Sequence, residues 1–377
     1  MANMLDYLNW RGDIPITVDG INDIDRMILA QLSYFDLKSY SSVLKEGFDK
    51  RTTLAELCEW ISDPQHGVRY HVSTDQKLAE LLMKSKRFGE IELTGYEEKF
   101  NIEKEEQFAA ITALLPDNTA ACIFRGTDWS LVGWKEDLNM ALSDQLPAQL
   151  DAVDYMKRLA QHYHGTIRVI GHSKGGNLAV YASAFANSEI TLRVIETINL
   201  DGPGFSKAVI ESPQYSILES RIRTIIPQSS LVGVIFAHTG KFTIVSSNAP
   251  KLMQHDLYSW QVLGPAPVTL TERDSSSQFV ESALNDWIDS LPREQRERFI
   301  SGIWSLLDGI GVTEISDILR GKNTLVLLSA LSRLDDETRS VITDTLARLR
   351  KSVKGSLLTV MGKNSPQDNN AVTEIKK

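Results

Sequence analysis

The chain has 377 residues, 42% of them hydrophobic and 24% charged, the proportions of a soluble globular protein with a sizeable core. A net charge of −9 argues against nucleic acid as the main partner, because a phosphate backbone calls for a basic face. Two cysteines, Cys58 and Cys122, lie far apart and make neither a disulfide framework nor a metal-type cluster, so the expected compartment is cytoplasmic.

The opening "MANMLDYLNWRGD" has no basic region and no continuous apolar stretch, unlike a signal peptide. No segment reaches the length of a membrane span, the late run "TLVLLSAL" being too short. From Ile21 to about Phe88 the pattern is helical. Ile24, Ile28, Leu29 and Leu32 share one face behind a cap at Asn22 or Asp23, and Leu78, Leu81 and Leu82 repeat it. At Ile91 the period changes. "IELTGYEEKF" carries part of a strand's alternation, "FAAITALL" is a buried-strand candidate, and "TAACIFRGT" resumes as a strand after the turn signal "PDN". Helices are predicted through Trp134, Leu138 and Leu142, and from Leu150 to Tyr163. Further strands fall at "TIRVI", "VIETINLDG", "RIRTIIP" and "FTIVSSN". Their alternation with helical stretches predicts an α/β fold with a mostly parallel sheet covered on both faces.

Past about Asp274 the pattern is helical throughout, through Phe279, Ala283, Trp287, Ile288, Phe299, Ile303, Trp304 and Leu307. The stretch "LGPAPVTLTERDSSS" is the expected boundary. It separates a domain over residues 1–265, which includes the N-terminal helices, from a C-terminal helical region over 275–355. The polar tail, 362–377, is expected to be disordered.

The chemistry centres on "RVIGHSKGGNLAVYAS", residues 168–183. An apolar strand gives way to a helical pattern (Leu178, Ala179, Ala182, Phe185), and Ser173 sits at the hinge. Gly171 and Gly175 relieve the crowding of so sharp a turn. This is the nucleophile-elbow pattern, which projects a hydroxyl above the sheet; the plainer alternative is a glycine-rich turn with a capping serine. A serine nucleophile needs a base, an orienting group and donors for the anion formed on attack.

Only His238 and His255 follow Ser173 in the chain. His255, in "LMQHDLYSW", lies beyond the last strand candidate and is favoured over His238, in "VIFAHTGKF". For the acid, "NLDGPGF" puts Asp201 at a strand's carboxyl end, where catalytic groups of parallel sheets collect. A simple turn cap is the alternative reading of this aspartate. Asp256 adjoins His255, but neighbouring side chains on extended chain point apart. "CIFRGTDW" supplies the donor loop. Thr127 offers its amide and hydroxyl there and the Lys174 amide completes the pair; the plainer alternative is a strand-to-helix loop capped by Thr127 or Asp128.

"FRGT" followed by Trp134 and Asp137, then "GHSKGG", resembles the class 3, fungal-type lipases. The likeness extends to a bacterial lipase-like family labelled Mbeg-like, through "DYLNWRGD", "QLSYFDL", "RGTDWSLVGWKEDLNM", "GHSKGGNLAVYA", "NLDGPGF", "IPQSSLVG" and "QHDLYSWQV". It covers most of the first 265 residues. The resemblance implies an α/β-hydrolase fold and serine-hydrolase chemistry, without naming a substrate. One departure stands out. Class 3 lipases carry their acid in a D-x-V-P segment, and "SSLVG" has Ser230 at that place. Pancreatic-type lipases place the acid in a G-L-D-P strand end, which "NLDGPGF" resembles, favouring Asp201.

The sequence thus predicts a hydrolase of carboxylic esters or thioesters, with Ser173, His255 and Asp201 as triad and the Thr127 and Lys174 amides as oxyanion donors. The expected substrate is small or acyl-chain-like. No cofactor, metal or nucleic acid is called for, and a membrane surface is not indicated. The alternatives are a hydrolase-fold scaffold that binds without turnover, or a peptidase or acyltransferase on the same residues.

Overall fold

The computed structural model describes residues 2–40, 44, 47–101, 103, 106–127, 145–309, 335–345 and 347. Its strands are β1 (Arg51–Thr53), β2 (Glu92–Asn101), β3 (Glu106–Leu114), β4 (Thr119–Phe124), β5 (Thr166–His172), β6 (Val194–Leu200), β7 (Ile222–Pro227), β8 (Thr243–Val245), β9 (Val262–Leu263), β10 (Ala266–Pro267) and β11 (Thr269–Leu270). One nine-stranded sheet runs in the order β1 to β8 and then β11, while β9 and β10 pair only with each other. From β4 to β8 every pairing is parallel. The strands outside that centre pair antiparallel.

The centre is parallel because each strand is followed by a crossover, and helices then cover both faces. Side chains alternate accordingly. Ile123, Ile170, Ile198 and Ile225 point into one core with Ile24, Ile28, Leu54, Leu57 and Leu78 of the N-terminal helices. Cys122, Phe124 and Val169 point into the other, against Tyr155, Leu159, Leu178 and Ala182. The second core lies under the helices Pro147–His162 and Lys174–Phe185. Both cysteines are buried free thiols.

The N-terminal stretch is helical at Asp23–Leu32, Leu54–Ser62 and Thr74–Met83. Asn22 is the cap of the first of these, in a reciprocal pair with Asp25. One feature departs from the helical reading of this stretch. Residues 51–53 form β1 on the edge of the sheet, paired to β2; three residues are too few to display a period. A further helix, Met4–Arg11, starts behind an Asn3–Asp6 capping box. The layer is tied internally by a buried ion pair, Arg87 Nε donating to Asp25 Oδ1 at 2.8 Å, with the Tyr7 hydroxyl on the same oxygen. Arg26 joins it to the sheet through two hydrogen bonds to Glu196.

Helices Ser275–Asp289 and Arg293–Gly309 follow β11. The helix expected through Trp134, Leu138 and Leu142 falls outside the described residues, as do the side chains of Ile288, Ile303, Trp304 and Leu307 and the tail from 348 on. No described helix is long and apolar enough to cross a membrane.

Candidate active site

Four adjacent parallel strands bring their carboxyl ends to one edge of the sheet, and each contributes to a single locus. β4 ends at Phe124 and leads into Gly126 and Thr127; β5 ends at His172 and leads into Ser173; β6 leads into Asp201; β7 leads into Ser230. His255 arrives from beyond β8, as the last residue of the 3₁₀ turn Lys251–His255.

Ser173 occupies the hinge between β5 and the helix Lys174–Phe185 with φ 57° and ψ −134°, a conformation that residues with a Cβ rarely adopt. The surroundings enforce it. A Cβ at Gly171 would run into the Gly175 carbonyl, and one at Gly175 into the Phe124 carbonyl. Strand, turn and helix are therefore pressed together at contact distance. The Ser173 amide donates to the Leu200 carbonyl at 2.9 Å, tying the hinge to the end of β6.

Asp201 directly follows the end of β6, and its side chain is buried. Its backbone also lies at positive φ, 50°, which aspartate tolerates better than most residues. His255 Nδ1–H donates to Asp201 Oδ2 at 2.6 Å. The other carboxylate oxygen accepts from the Ser230 hydroxyl at 2.5 Å and from the Gly233 amide at 3.2 Å. The buried carboxylate thus has partners on both oxygens, as burial of a charge requires. Ser230, which follows the end of the neighbouring strand β7, turns its hydroxyl to this aspartate. Its own carbonyl accepts from Ser277 at the start of the helix Ser275–Asp289.

Neither Asp256 nor His238 is hydrogen-bonded to the His255–Asp201 pair. Asp256 Oδ1 accepts from the Tyr258 amide, capping the following turn, and burial raises its pKa above the ordinary carboxyl value. His238 stands edge-on to Phe242. Its Nε2 is buried with no hydrogen-bond partner among the described residues, and burial pushes its pKa down to about 4.

Lys174 opens the elbow helix, so its amide is one of the helix's first donors. Its side chain runs away into the core, where Nζ donates to the Gln107 carbonyl at 2.8 Å. Thr127 is half-buried beside Gly126, and a Cβ on Gly126 would stand 2.9 Å from the Cβ of Ser173. The Gly126–Thr127 corner therefore abuts the hinge. Trp134 and Asp137 lie outside the described residues. Among the described residues no cluster of histidine, cysteine and carboxylates could hold a metal ion.

Two further side chains at the site carry no periodic or spacing signal in the sequence. His172, inside the G-H-S motif itself, and Tyr34, inside "QLSYFDL", are hydrogen-bonded to each other at 2.9 Å. His172 also meets the segment that carries His255.

A central parallel sheet with a strand–serine–helix elbow, and with an imidazole–carboxylate pair at the neighbouring strand ends, defines an α/β-hydrolase fold of the lipase-like kind. A family model described as Mbeg1-like matches residues 82–305, more than half of the chain, and the chain belongs to that family. Among solved structures, M37 lipase is 16% identical, over 57% of this chain and 70% of that one, with a TM-score of 0.35. A fungal lipase in complex with an inhibitor is 12% identical over 59% and 76%, at 0.35. A triacylglycerol lipase from Penicillium expansum is 14% identical over 67% and 86%, at 0.32. No protein of curated function matches the chain.

Proposed function

We propose that the protein is a serine hydrolase that cleaves a carboxylic ester or thioester through an acyl-enzyme on Ser173. The observation that carries this reading is the 2.6 Å hydrogen bond from His255 Nδ1 to the buried Asp201, made at the rim of a strained serine elbow. With Nδ1 held by the carboxylate, Nε2 is the ring nitrogen left to take the Ser173 proton. The hydroxyl oxygen attacks the carbonyl carbon as that proton moves to His255. The tetrahedral oxyanion is held by the amides of Thr127 and Lys174, one at the end of β4 and one at the helix N-terminus. Collapse expels the alcohol or thiol, which takes the proton from His255. Water, deprotonated by the same imidazole, then releases the acid and frees the serine. Asp201 fixes the imidazole tautomer and stabilises the imidazolium in both half-reactions. The substrate is a small or acyl-chain-like ester, and the chemistry calls on side chains and backbone amides only.

Fluorophosphonate labelling tests the reading without knowledge of the substrate. The purified protein is expected to take up one equivalent, and Ser173→Ala none. Equal labelling of the alanine variant would sink the assignment, and a wild-type protein inert both to the probe and to p-nitrophenyl esters would favour a scaffold that binds without turnover.

A further inference from the structure

The proposed base sits on a short segment with little regular structure, and its backbone is caught by a side chain from β5. His172, the residue before the elbow serine, is 7% exposed. Its Nε2 lies 2.8 Å from the main-chain carbonyl oxygen of His255, and its Nδ1 lies 2.9 Å from the hydroxyl of Tyr34. Tyr34 is 8% exposed and stands just past the end of the helix Asp23–Leu32. The imidazoles of His172 and His255 are 4.5 Å apart, centroid to centroid.

These contacts dictate the protonation of the His172 ring. A carbonyl oxygen only accepts, so Nε2 must carry the hydrogen. In the neutral ring Nδ1 is then bare and accepts from the Tyr34 hydroxyl. Burial first, and the neighbouring His255 second, hold the pKa of His172 well below the ordinary histidine value, which keeps the ring neutral. A neutral neighbour matters at this distance, because His255 becomes a cation during attack and a charged His172 would oppose it.

We propose that Tyr34 and His172 form a hydrogen-bonded strap from the N-terminal helical layer to the backbone of the base, and that His172 is a positioning residue for His255. Tyr34 sets the His172 tautomer, His172 donates to the His255 carbonyl, and that bond fixes where the base stands relative to the serine one residue along from His172. The base is thereby held at two points: its ring by Asp201, its main chain by His172. A second tie fixes the segment farther along, where the Tyr258 hydroxyl donates to the buried Asp75 at 2.7 Å. The proposal rests on the reading of His255 as the base.

Three variants test it, with p-nitrophenyl butyrate as the turnover probe and a fluorophosphonate as the serine probe. His172→Leu removes the donor while keeping bulk, and is expected to lower kcat about tenfold or more with KM little changed. His172→Gln returns an amide N–H near the place of Nε2 and is expected to recover most of that loss. Tyr34→Phe removes a single oxygen and is expected to lower kcat several-fold. Equal damage from Leu and Gln would mean that His172 acts by packing alone, and full kcat in both His172→Leu and Tyr34→Phe would overturn the strap.

Nitrogen NMR of histidine-labelled protein gives a readout independent of turnover. The His172 ring is expected to show a neutral Nε2–H tautomer through the ordinary histidine titration range in the wild type, and a tautomer mixture in Tyr34→Phe. An Nδ1–H or titrating ring in the wild type overturns the proposal. If the wild-type protein neither labels nor turns over, the hydrolase reading falls and the NMR result alone decides whether the strap exists.

Discussion

Asp201 reaches His255 from just past the end of β6, with its own backbone at positive φ. Ser230, just past the end of β7, donates its hydroxyl to the aspartate. One carboxylate therefore receives three donors: the imidazole, a hydroxyl and an amide. Asp201→Asn keeps size and suits the same positive φ, so the fold is expected to persist while turnover of a p-nitrophenyl ester falls by roughly 10⁴, the loss expected when the orienting acid is neutralised. Full esterase activity in that variant would remove Asp201 from the mechanism. Ser230→Ala is milder. It leaves Oδ1 with the Gly233 amide alone, and about a tenfold loss of kcat is expected from one hydrogen bond to a charged group. An unchanged kcat would reduce Ser230 to a packing role. That Asp201 sits at a strand end beside the elbow was readable from "NLDGPGF". Ser230's part was not, because a hydroxyl's partner across two loops leaves no periodic trace.

Ser173 owes its setting to three contiguous elements, and this is why the elbow was legible. Strand, G-x-S-x-G turn and helix follow one another without a gap, and their glycines mark the places where backbone meets backbone. Gly171→Ala would force a methyl into the Gly175 carbonyl and is expected to cost about 3 kcal/mol, read as a lowered melting temperature. A fully stable variant would show that the turn is looser than its geometry. The segment carrying His255 was far less legible. The 3₁₀ turns Lys251–His255 and Leu257–Ser259 have no amphipathic period, and their anchors come from distant parts of the chain. The His255 carbonyl oxygen lies 2.8 Å from Nε2 of His172 on β5, and Tyr258 reaches Asp75 in the N-terminal layer. Composition and spacing cannot report such pairings, so the histidine could be chosen only by its place in chain order. Tyr258→Phe is expected to cost about 1 kcal/mol of stability, since Asp75 keeps the Gln31 amide and the Val72 N–H.

At the scale of the whole molecule, the N-terminal helices close one face of the sheet and also reach the edge that carries the candidate site, through Tyr34 and Asp75. They are held by buried polar contacts, His172 among them, and that histidine together with His238, buried elsewhere beside Phe242, gives the fold a dependence on pH. Burial keeps His172 neutral and pushes the His238 pKa down to about 4. In the unfolded chain both return to the ordinary value of about 6.5. Between those limits the unfolded state binds more protons than the native one, so stability falls as pH falls. For His238 the loss begins near pH 6.5 and ends near pH 4, and each such group contributes at most about 1.4 kcal/mol per pH unit across its window. Carboxylates titrate in the same range, so a difference between variants isolates the histidine. His238→Phe keeps an aromatic ring in the apolar contact with Phe242 and removes the titration. Its melting temperature is expected to decline less steeply than the wild type's between pH 6.5 and 4, with the two curves running parallel above pH 7. Parallel curves over the whole range would mean that His238 takes up its proton in the fold as readily as in the open chain, and that its buried Nε2 meets a partner on opening to solvent.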